Sequence, residues 1–243
     1  ALARDPDLSD WDGLGFVLQA YQKRAEATCD WLIGLARQTD RRLMVRLVKG
    51  AYWDREIKHA QELGLPDYPV FTRKSNTYRS YQVCAAKLLS APGAVFPQFA
   101  THNAHTVSMV KALAQDNTAF EFQRLHGMGH LLYAQLSKSD ESTPIRVYAP
   151  VGNHKDLLPY LVRRLLENGA NSSFVNRFLD ASVPASELNR DPIDQVLAVS
   201  RRRHPKIPLP RQLYAQESAP WVNALGFDLN DPSVVKDLLL RLT

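Results

Sequence analysis

The chain has 243 residues, of which 45% are hydrophobic and 23% charged, a composition that excludes a disordered or fibrous protein. No apolar stretch is long enough to span a bilayer. The net charge of +5 is compatible with an anionic ligand or membrane surface and requires neither.

The first part of the chain has helical periodicity. Apolar residues recur at helical spacing across 11–38, and the pattern predicts one helix there. Cys29 lies in this segment and Cys84 in a later helical pattern. Two cysteines so far apart predict buried, reduced thiols and therefore a reducing compartment.

Four short apolar runs follow, and they predict strands at 43–49, 95–101, 119–124 and 145–149. Helical patterns lie at about 53–63, 76–89, 104–115, 129–136 and 154–168. This alternation predicts right-handed crossovers and a parallel sheet, as in the α/β architecture of a (βα)8 TIM-like barrel.

We expect residues 1–180 to form only the second half of such a barrel, with about four strands, because a full barrel typically takes about 250 residues. Prolines recur from residue 184 onward, so 181–243 are expected to be a post-barrel helix and linker. The first residue is Ala1, not Met, and we expect the chain to be a piece of a longer protein that is inactive by itself.

Polar and aromatic side chains stand where the predicted strands end. In a parallel barrel the carboxyl ends of the strands meet at one face, so these side chains are candidates for a shared pocket. They are Lys49, Tyr52, Trp53, His102, Asn103, Gln123 and Tyr148.

The helix predicted at 154–168 carries two stripes. One is apolar and consists of Leu158, Leu161, Val162, Leu165 and Leu166. The other is polar and consists of Tyr160, Arg163, Arg164 and Glu167. The polar stripe is either an exposed face with one ion pair or a pair of guanidiniums for a carboxylate or phosphate. Spacing alone leaves both interpretations open.

The segment after the first predicted strand offers several kinds of chemistry. Gly50 and Ala51 allow a ligand to approach the backbone closely, and Trp53 could stack on a ring. Lys49 could form a Schiff base if desolvated, or could simply pack. Arg46 is a charge inside an apolar strand, which is costly unless it is paired or faces a ligand.

His102, His126 and His130 suggest a metal site, but no carboxylate joins them at ligand spacing, so we predict no metal. Gln123 needs partners for both ends of its amide, and a pyrimidine-like ring edge offers them. The phosphate-loop, dinucleotide-loop, serine-hydrolase and zinc-protease motifs are absent from the sequence.

Five segments together resemble the proline dehydrogenase barrel, most closely that of the bacterial bifunctional proline utilization A family. They are RLVKGAYWD at 46–54, QFATHNAHTV at 98–107, FEFQRLHGMG at 120–129, VYAPVG at 147–152 and LVRRLLENGANSSFV at 161–175. The resemblance runs in consistent order from about residue 10 to 200. It implies an FAD-dependent enzyme that oxidises L-proline to Δ1-pyrroline-5-carboxylate.

The resemblance also implies residue roles. Arg46 would lie near the reactive flavin nitrogen, and with Tyr148 it makes up the catalytic pair. The flavin and its ribityl or phosphate groups would be hydrogen-bonded by Gln19, Thr101, His102, Asn103 and Gln123. The rest of the dinucleotide would be held by Lys49, Gly50, Ala51, Trp53, Thr72, Lys74 and Glu167. The proline carboxylate would meet Arg163 and Arg164, and its ring would lie among Tyr52, Leu125, Tyr148 and Tyr160.

The family pattern extends beyond this chain. A lysine and an aspartate from earlier strands would precede Ala1, an aldehyde dehydrogenase domain would follow, and residues 210–214 and 221–232 resemble the approach to that domain. The resemblance implies a cytoplasmic protein that can sit peripherally at the inner membrane, where a quinone accepts its electrons.

Two other functions compete with this interpretation. One is an aldolase-type barrel with Lys49 as the Schiff-base lysine. The other is a non-enzymatic basic module that binds nucleic acid through Arg201, Arg202 and Arg203, which we expect less because a short basic run is usually a solvated linker.

Overall fold

A computed structural model describes residues 2–115, 119–169, 190–214, 227–229 and 231–242, together with residues 182, 184 and 186. Five parallel strands form one sheet in sequential order. They are β1 (Gly15–Gln19), β2 (Leu43–Val48), β3 (Val95–Ala100), β4 (Glu121–Leu125) and β5 (Ile145–Tyr148). The predicted α/β class and parallel sheet are therefore confirmed.

Helices connect the strands and follow them. Those of the strand–helix region are α1 (Ala25–Gln38), α2 (Trp53–Glu62), α3 (Lys74–Leu89), α4 (Ala104–Ala114), α5 (His130–Ser139) and α6 (His154–Gly169). Farther along the described part of the chain lie α7 (Pro192–Leu197) and α8 (Pro232–Leu242). None of the helices in the described ranges is long and apolar enough to cross a membrane.

The single helix predicted over 11–38 is wrong in its first part, where β1 forms and adds a fifth strand. Leu14, Leu18 and Tyr21 have helical spacing and are all buried, so periodicity alone favoured a helix. Pairing with β2 decides otherwise, since Val17 stands opposite Arg46 in a parallel register. Tertiary pairing of this kind outweighs local propensity.

One face of the sheet carries the hydrophobic core. Side chains alternate along a strand, and in β2 Leu43, Val45 and Leu47 are fully buried while the residues between them are half-buried. The buried set packs with side chains of α1, α3, α4 and α5. Cys29 and Cys84 are free thiols buried in this core, as predicted.

The opposite face of the sheet is polar. Arg46, Gln98, Glu121, Gln123 and Arg146 come from β2 to β5 and contact one another across the strands. We call this set the polar face. Burying charged groups costs free energy unless they are paired. The polar face is therefore the side of the sheet on which we expect the functional site.

Candidate functional site

A chain of hydrogen bonds crosses the polar face. Arg46 Nε donates to Gln123 Oε1 at 2.8 Å, and Gln123 Nε2 donates to Glu121 Oε1 at 2.7 Å. Arg146 Nε donates to both Glu121 oxygens at 2.8 and 3.0 Å, and Gln98 Nε2 donates to Oε1 at 2.9 Å. Arg46 is therefore held by a hydrogen bond to a neutral amide, and it lies on the polar face and not in the apolar core.

Glu121 is the centre of this chain. Burial raises the pKa of its carboxyl group, but the hydrogen bonds from Arg146, Gln123 and Gln98 together outweigh burial and hold the pKa below its ordinary value. Glu121 is consequently an ionised carboxylate that accepts hydrogen bonds from three side chains. The sequence analysis missed Glu121, Gln98 and Arg146. Glu121 could have been found in the same way as Arg46, because it too is a charged residue within an apolar run, between Phe120 and Phe122.

Aromatic rings lie beside the arginines. The guanidinium carbon of Arg46 lies 4.9 Å from the centre of the Tyr148 ring, at the end of β5. Burial and the neighbouring Tyr148 phenol raise the pKa of Tyr160 on α6. The two tyrosines are therefore close to each other, and α6 approaches the end of the sheet at which β5 finishes.

Helix α6 turns its polar stripe inward. Tyr160, Arg163 and Arg164 are half-buried, whereas Leu158, Leu161, Val162, Leu165 and Leu166 are exposed. The guanidinium carbon of Arg163 lies 5.2 Å from the centre of the Tyr52 ring, and that of Arg164 lies 5.6 Å from the centre of the Tyr160 ring. The geometry favours the second interpretation of this stripe, a pair of inward-facing guanidiniums.

Arg163 has an unused donor. Its Nε is buried and has no hydrogen-bond partner among the described residues. A buried donor without a partner is costly, and a planar guanidinium suits a carboxylate. The side chain of Glu167, on the same helix, lies outside the described residues.

The loop after β2 has a backbone conformation that favours glycine. Gly50 has φ of 128°, and a Cβ there would lie 2.4 Å from the ring of Tyr21. Any other residue would strain this loop. Ala51 follows and is exposed, and Trp53 Nε1 donates to the carbonyl oxygen of Phe71 at 2.8 Å.

Lys49 points to the helix side of the sheet. Its Nζ donates to Thr106 Oγ1 on α4 at 2.8 Å and lies 4.2 Å from the centre of the Tyr78 ring on α3. Because side chains alternate along a strand, Lys49 lies on the same face as Val45 and Leu47, which are fully buried. The Schiff-base hypothesis for Lys49 therefore finds no support, because the amine packs between helices rather than facing the polar face.

His102 is a neutral imidazole at the end of β3. Its Nε2 accepts a hydrogen bond from the backbone N–H of Leu125 at 3.1 Å. Burial, followed by the positive charges of Arg164, Arg124 and Arg46, lowers the pKa of His102 to about 4. The carbonyl oxygen of neighbouring Thr101 accepts a hydrogen bond from the Tyr133 hydroxyl at 2.7 Å.

Asn103 caps α4, because its side-chain oxygen accepts from the backbone N–H of Thr106 at 3.1 Å. We expect Asn103→Ala to lower the free energy of unfolding by about 1 kcal/mol through loss of this cap. Asn103→Ser keeps a capping oxygen and should recover most of the loss. Urea unfolding measures both variants, and equal stability of all three proteins would contradict a capping role.

The remaining predicted cofactor residues lie at element ends. Gln19 ends β1 and Lys74 begins α3. Thr72 Oγ1 accepts from the backbone N–H of His204 at 2.9 Å, so the segment after α7 contacts the loop before α3. Arg201, Arg202 and Arg203, which precede His204, are exposed.

The structure thus brings Arg46, Gln123, Tyr148, Tyr160 and Arg164 into one neighbourhood, with Arg163 and Tyr52 beside each other on α6 and the loop before α2. Among the described residues, no three His, Cys, Asp or Glu side chains lie together as a metal site would need. The neighbourhood offers guanidiniums, aromatic rings and amide groups, which suit a planar ring and a carboxylate.

Comparison with known proteins shows the family to which the chain is similar. Residues 1–177 match the family model described as proline dehydrogenase. The chain is 53% identical over 241 residues to Bifunctional protein PutA of Escherichia coli, covering 94% of this chain and 18% of that protein. It is 29% identical over 170 residues to Proline dehydrogenase 1 of Bacillus subtilis, covering 68% of this chain and 49% of that protein.

A solved structure of Bradyrhizobium japonicum Proline Utilization A superposes with a TM-score of 0.90 at 54% identity. The match covers 98% of this chain and 24% of the solved chain. The chain therefore spans about a fifth of the length of its bifunctional relatives.

Proposed function

Because the chain belongs to the proline dehydrogenase family, we propose that its polar face and α6 form the FAD and L-proline site of a proline-oxidising enzyme. The product would be Δ1-pyrroline-5-carboxylate, in the first step of proline breakdown to glutamate. The observation that carries this proposal is the orientation of α6, which turns Arg163 and Arg164 inward against the rings of Tyr52 and Tyr160.

The two arginines are suited to a carboxylate clamp. The unpartnered Nε of Arg163 can donate to a substrate carboxylate, which would satisfy a buried donor. Tyr52, Tyr148, Tyr160 and Leu125 would surround the proline ring. The main task of the protein would be to hold the proline ring in one orientation, since correct orientation of a reactant can lower the activation barrier by about 7–11 kcal/mol.

The residues also fit FAD. Gly50 has positive φ, and a Cβ there would meet the ring of Tyr21, so this loop needs glycine. A glycine backbone can also approach a ligand closely. Gln19, Thr101, His102, Asn103 and Gln123 offer donors and acceptors for the flavin and its ribityl chain. The rest of the dinucleotide would lie along Gly50, Ala51, Trp53, Thr72, Lys74 and Glu167. Lys49 is left out of this set, because its amine donates to Thr106 and packs between α3 and α4. FAD, when bound, supplies the acceptor for the hydride that leaves the proline ring.

Arg46 has a defined part in this proposal. Its Nε is committed to Gln123, so its position is fixed while its positive charge remains available to the site. A fixed cation favours the build-up of negative charge on a ring beside it. Tyr148, stacked with Arg46, would hold the substrate side of the pocket.

The wider setting forms part of the proposal. Residues 1–180 would contribute one side of the barrel and its site, and 181–243 would lead toward an aldehyde dehydrogenase domain, in keeping with the word bifunctional in the names of the relatives. The electron acceptor would be a membrane quinone reached by peripheral contact of a cytoplasmic enzyme. The net charge of +5 is compatible with an anionic surface.

The direct test is anaerobic mixing of the full-length protein with L-proline, followed by flavin absorbance. We expect a flavin spectrum that bleaches with proline and returns with a quinone analogue. Absence of bound flavin, or a flavin that proline does not reduce, would refute the proposal.

Arg46→Met should lower the flavin reduction potential, because a nearby positive charge favours the reduced, anionic ring. A unit charge within about 10 Å at an effective dielectric constant of about 20 contributes about 1–2 kcal/mol, or ~20–40 mV for a two-electron couple. Spectroelectrochemistry measures the shift. Arg42→Met is the matched control, since Arg42 is an exposed arginine just before β2, beside Phe96. Equal potentials for the Arg46 variant and the wild type would leave Arg46 with a structural role only.

A further inference from the structure

The hydrogen-bond chain on the polar face contains a residue, Glu121, that has no part in the function argued so far. Its side chain is 4% exposed and accepts from Arg146, Gln98 and Gln123. Gln123 in turn accepts from Arg46. Glu121 is therefore separated by one side chain, that of Gln123, from the arginine assigned to the flavin.

The donors and acceptors in this chain have only one consistent arrangement. An ionised carboxylate can only accept, so the amide of Gln123 must turn its NH2 toward Glu121. Its oxygen is then directed at Arg46 and accepts from Nε. If Glu121 were neutral and able to donate, the Gln123 amide could turn over and present a donor to the Nε–H donor of Arg46.

We propose that Glu121 is a positioning residue, which orients the Gln123 amide and thereby the Arg46 guanidinium toward the flavin. This inference rests on the proposed function. Arg146 and Gln98 fix the carboxylate from the strands on either side of β4, since Gln98 pairs with Glu121 and Arg146 with Gln123 in the sheet register. Because the Glu121 carboxylate is held from both sides, it fixes the orientation of the Gln123 amide, and that amide fixes the position of Arg46.

The first test is Glu121→Gln in the full-length protein. The isosteric amide keeps the side-chain volume but permits the turned-over arrangement. We expect the rate of flavin reduction at saturating proline to fall about 10-fold, because small errors in the position of a catalytic group are costly. The dissociation constant for proline should change little, since Arg163 and Arg164 are untouched.

A double-mutant cycle with Arg46→Met separates positioning from general damage. If Glu121 acts through Arg46, Glu121→Gln should have almost no further effect on the reduction rate once Arg46 is gone. The flavin potential should show the same non-additivity, whereas a carboxylate acting directly on the flavin would shift the potential equally in both backgrounds. Asp140→Asn is the matched control. Asp140, like Glu121, is a carboxylate that accepts a hydrogen bond from a basic side chain, here Lys111, but it lies outside the polar face.

The outcomes are distinct. A Glu121→Gln protein with wild-type reduction rate, or additive effects in the cycle, overturns the positioning role while leaving the proposed function intact. A wild-type protein whose flavin is absent or not reduced by proline overturns the proposed function itself. Should Glu121→Gln fail to fold, Glu121→Asp carries the test, because it keeps the charge but withdraws the carboxylate from Gln123. We then expect a loss of about 3-fold or more, and a wild-type rate overturns the proposal.

Discussion

Replacing Arg163 by Met in the full-length protein should raise the KM for proline by roughly 30-fold to several thousand-fold while leaving the flavin bound. Loss of one partner from a buried, charged hydrogen-bonded pair costs about 2–5 kcal/mol. Arg163 is half-buried, lies against the ring of Tyr52 and carries a buried Nε that has no hydrogen-bond partner among the described residues. Arg164→Met should act in the same direction.

The matched control lies on the same helix. Lys155 is an exposed cation in the first turn of α6, and Lys155→Met removes one positive charge without touching the inward face. We expect its proline kinetics to match the wild type. Steady-state kinetics with a dye acceptor, together with flavin absorbance of each purified variant, makes the comparison. An unchanged KM in both arginine variants would exclude these residues from the substrate site.

The sequence predicted most of the strand–helix alternation because buried parallel strands have continuous apolar runs. The runs predicted at 43–49 and 95–101 match β2 and β3 within a residue, and the run predicted at 145–149 matches β5 equally well. β1 was missed because its short run also has helical spacing. Only its pairing with β2, a contact between distant segments, makes it a strand.

The orientation of α6 could not be predicted from its pattern. Amphipathic helices usually turn the apolar stripe to the core, whereas in α6 Arg163 and Arg164 of the polar stripe face Tyr52 and Tyr160. Its resemblance to a known family, not its periodicity, directed attention to the polar stripe. The hydrogen-bond chain through Glu121 was missed for a related reason, since it depends on the register among β3, β4 and β5.

Protonation of His102 should make the stability of the chain depend on pH between about 4 and 6.5. Burial and the neighbouring arginines lower the pKa of His102 from 6.5 to about 4, so the unfolded chain binds a proton in this window that the folded chain does not. The free energy of unfolding therefore rises with pH across the window. The contribution is complete above pH 6.5, is lost as the pH falls toward 4, and amounts to about 3 kcal/mol.

The comparison of wild type with His102→Asn isolates this contribution, because acid effects from all other groups are common to both proteins. We expect the stability difference between them, measured by urea unfolding, to fall by about 3 kcal/mol from pH 7 to about pH 4. His126→Asn is the control for removal of a histidine, since His126 is exposed and follows β4. A pH effect of the same size in this variant would contradict the assignment to His102. Histidine-selective NMR checks the cause directly. The His102 resonance is the one that disappears in the His102→Asn spectrum. If it titrates near the ordinary value of about 6.5, the predicted pH dependence of stability is wrong.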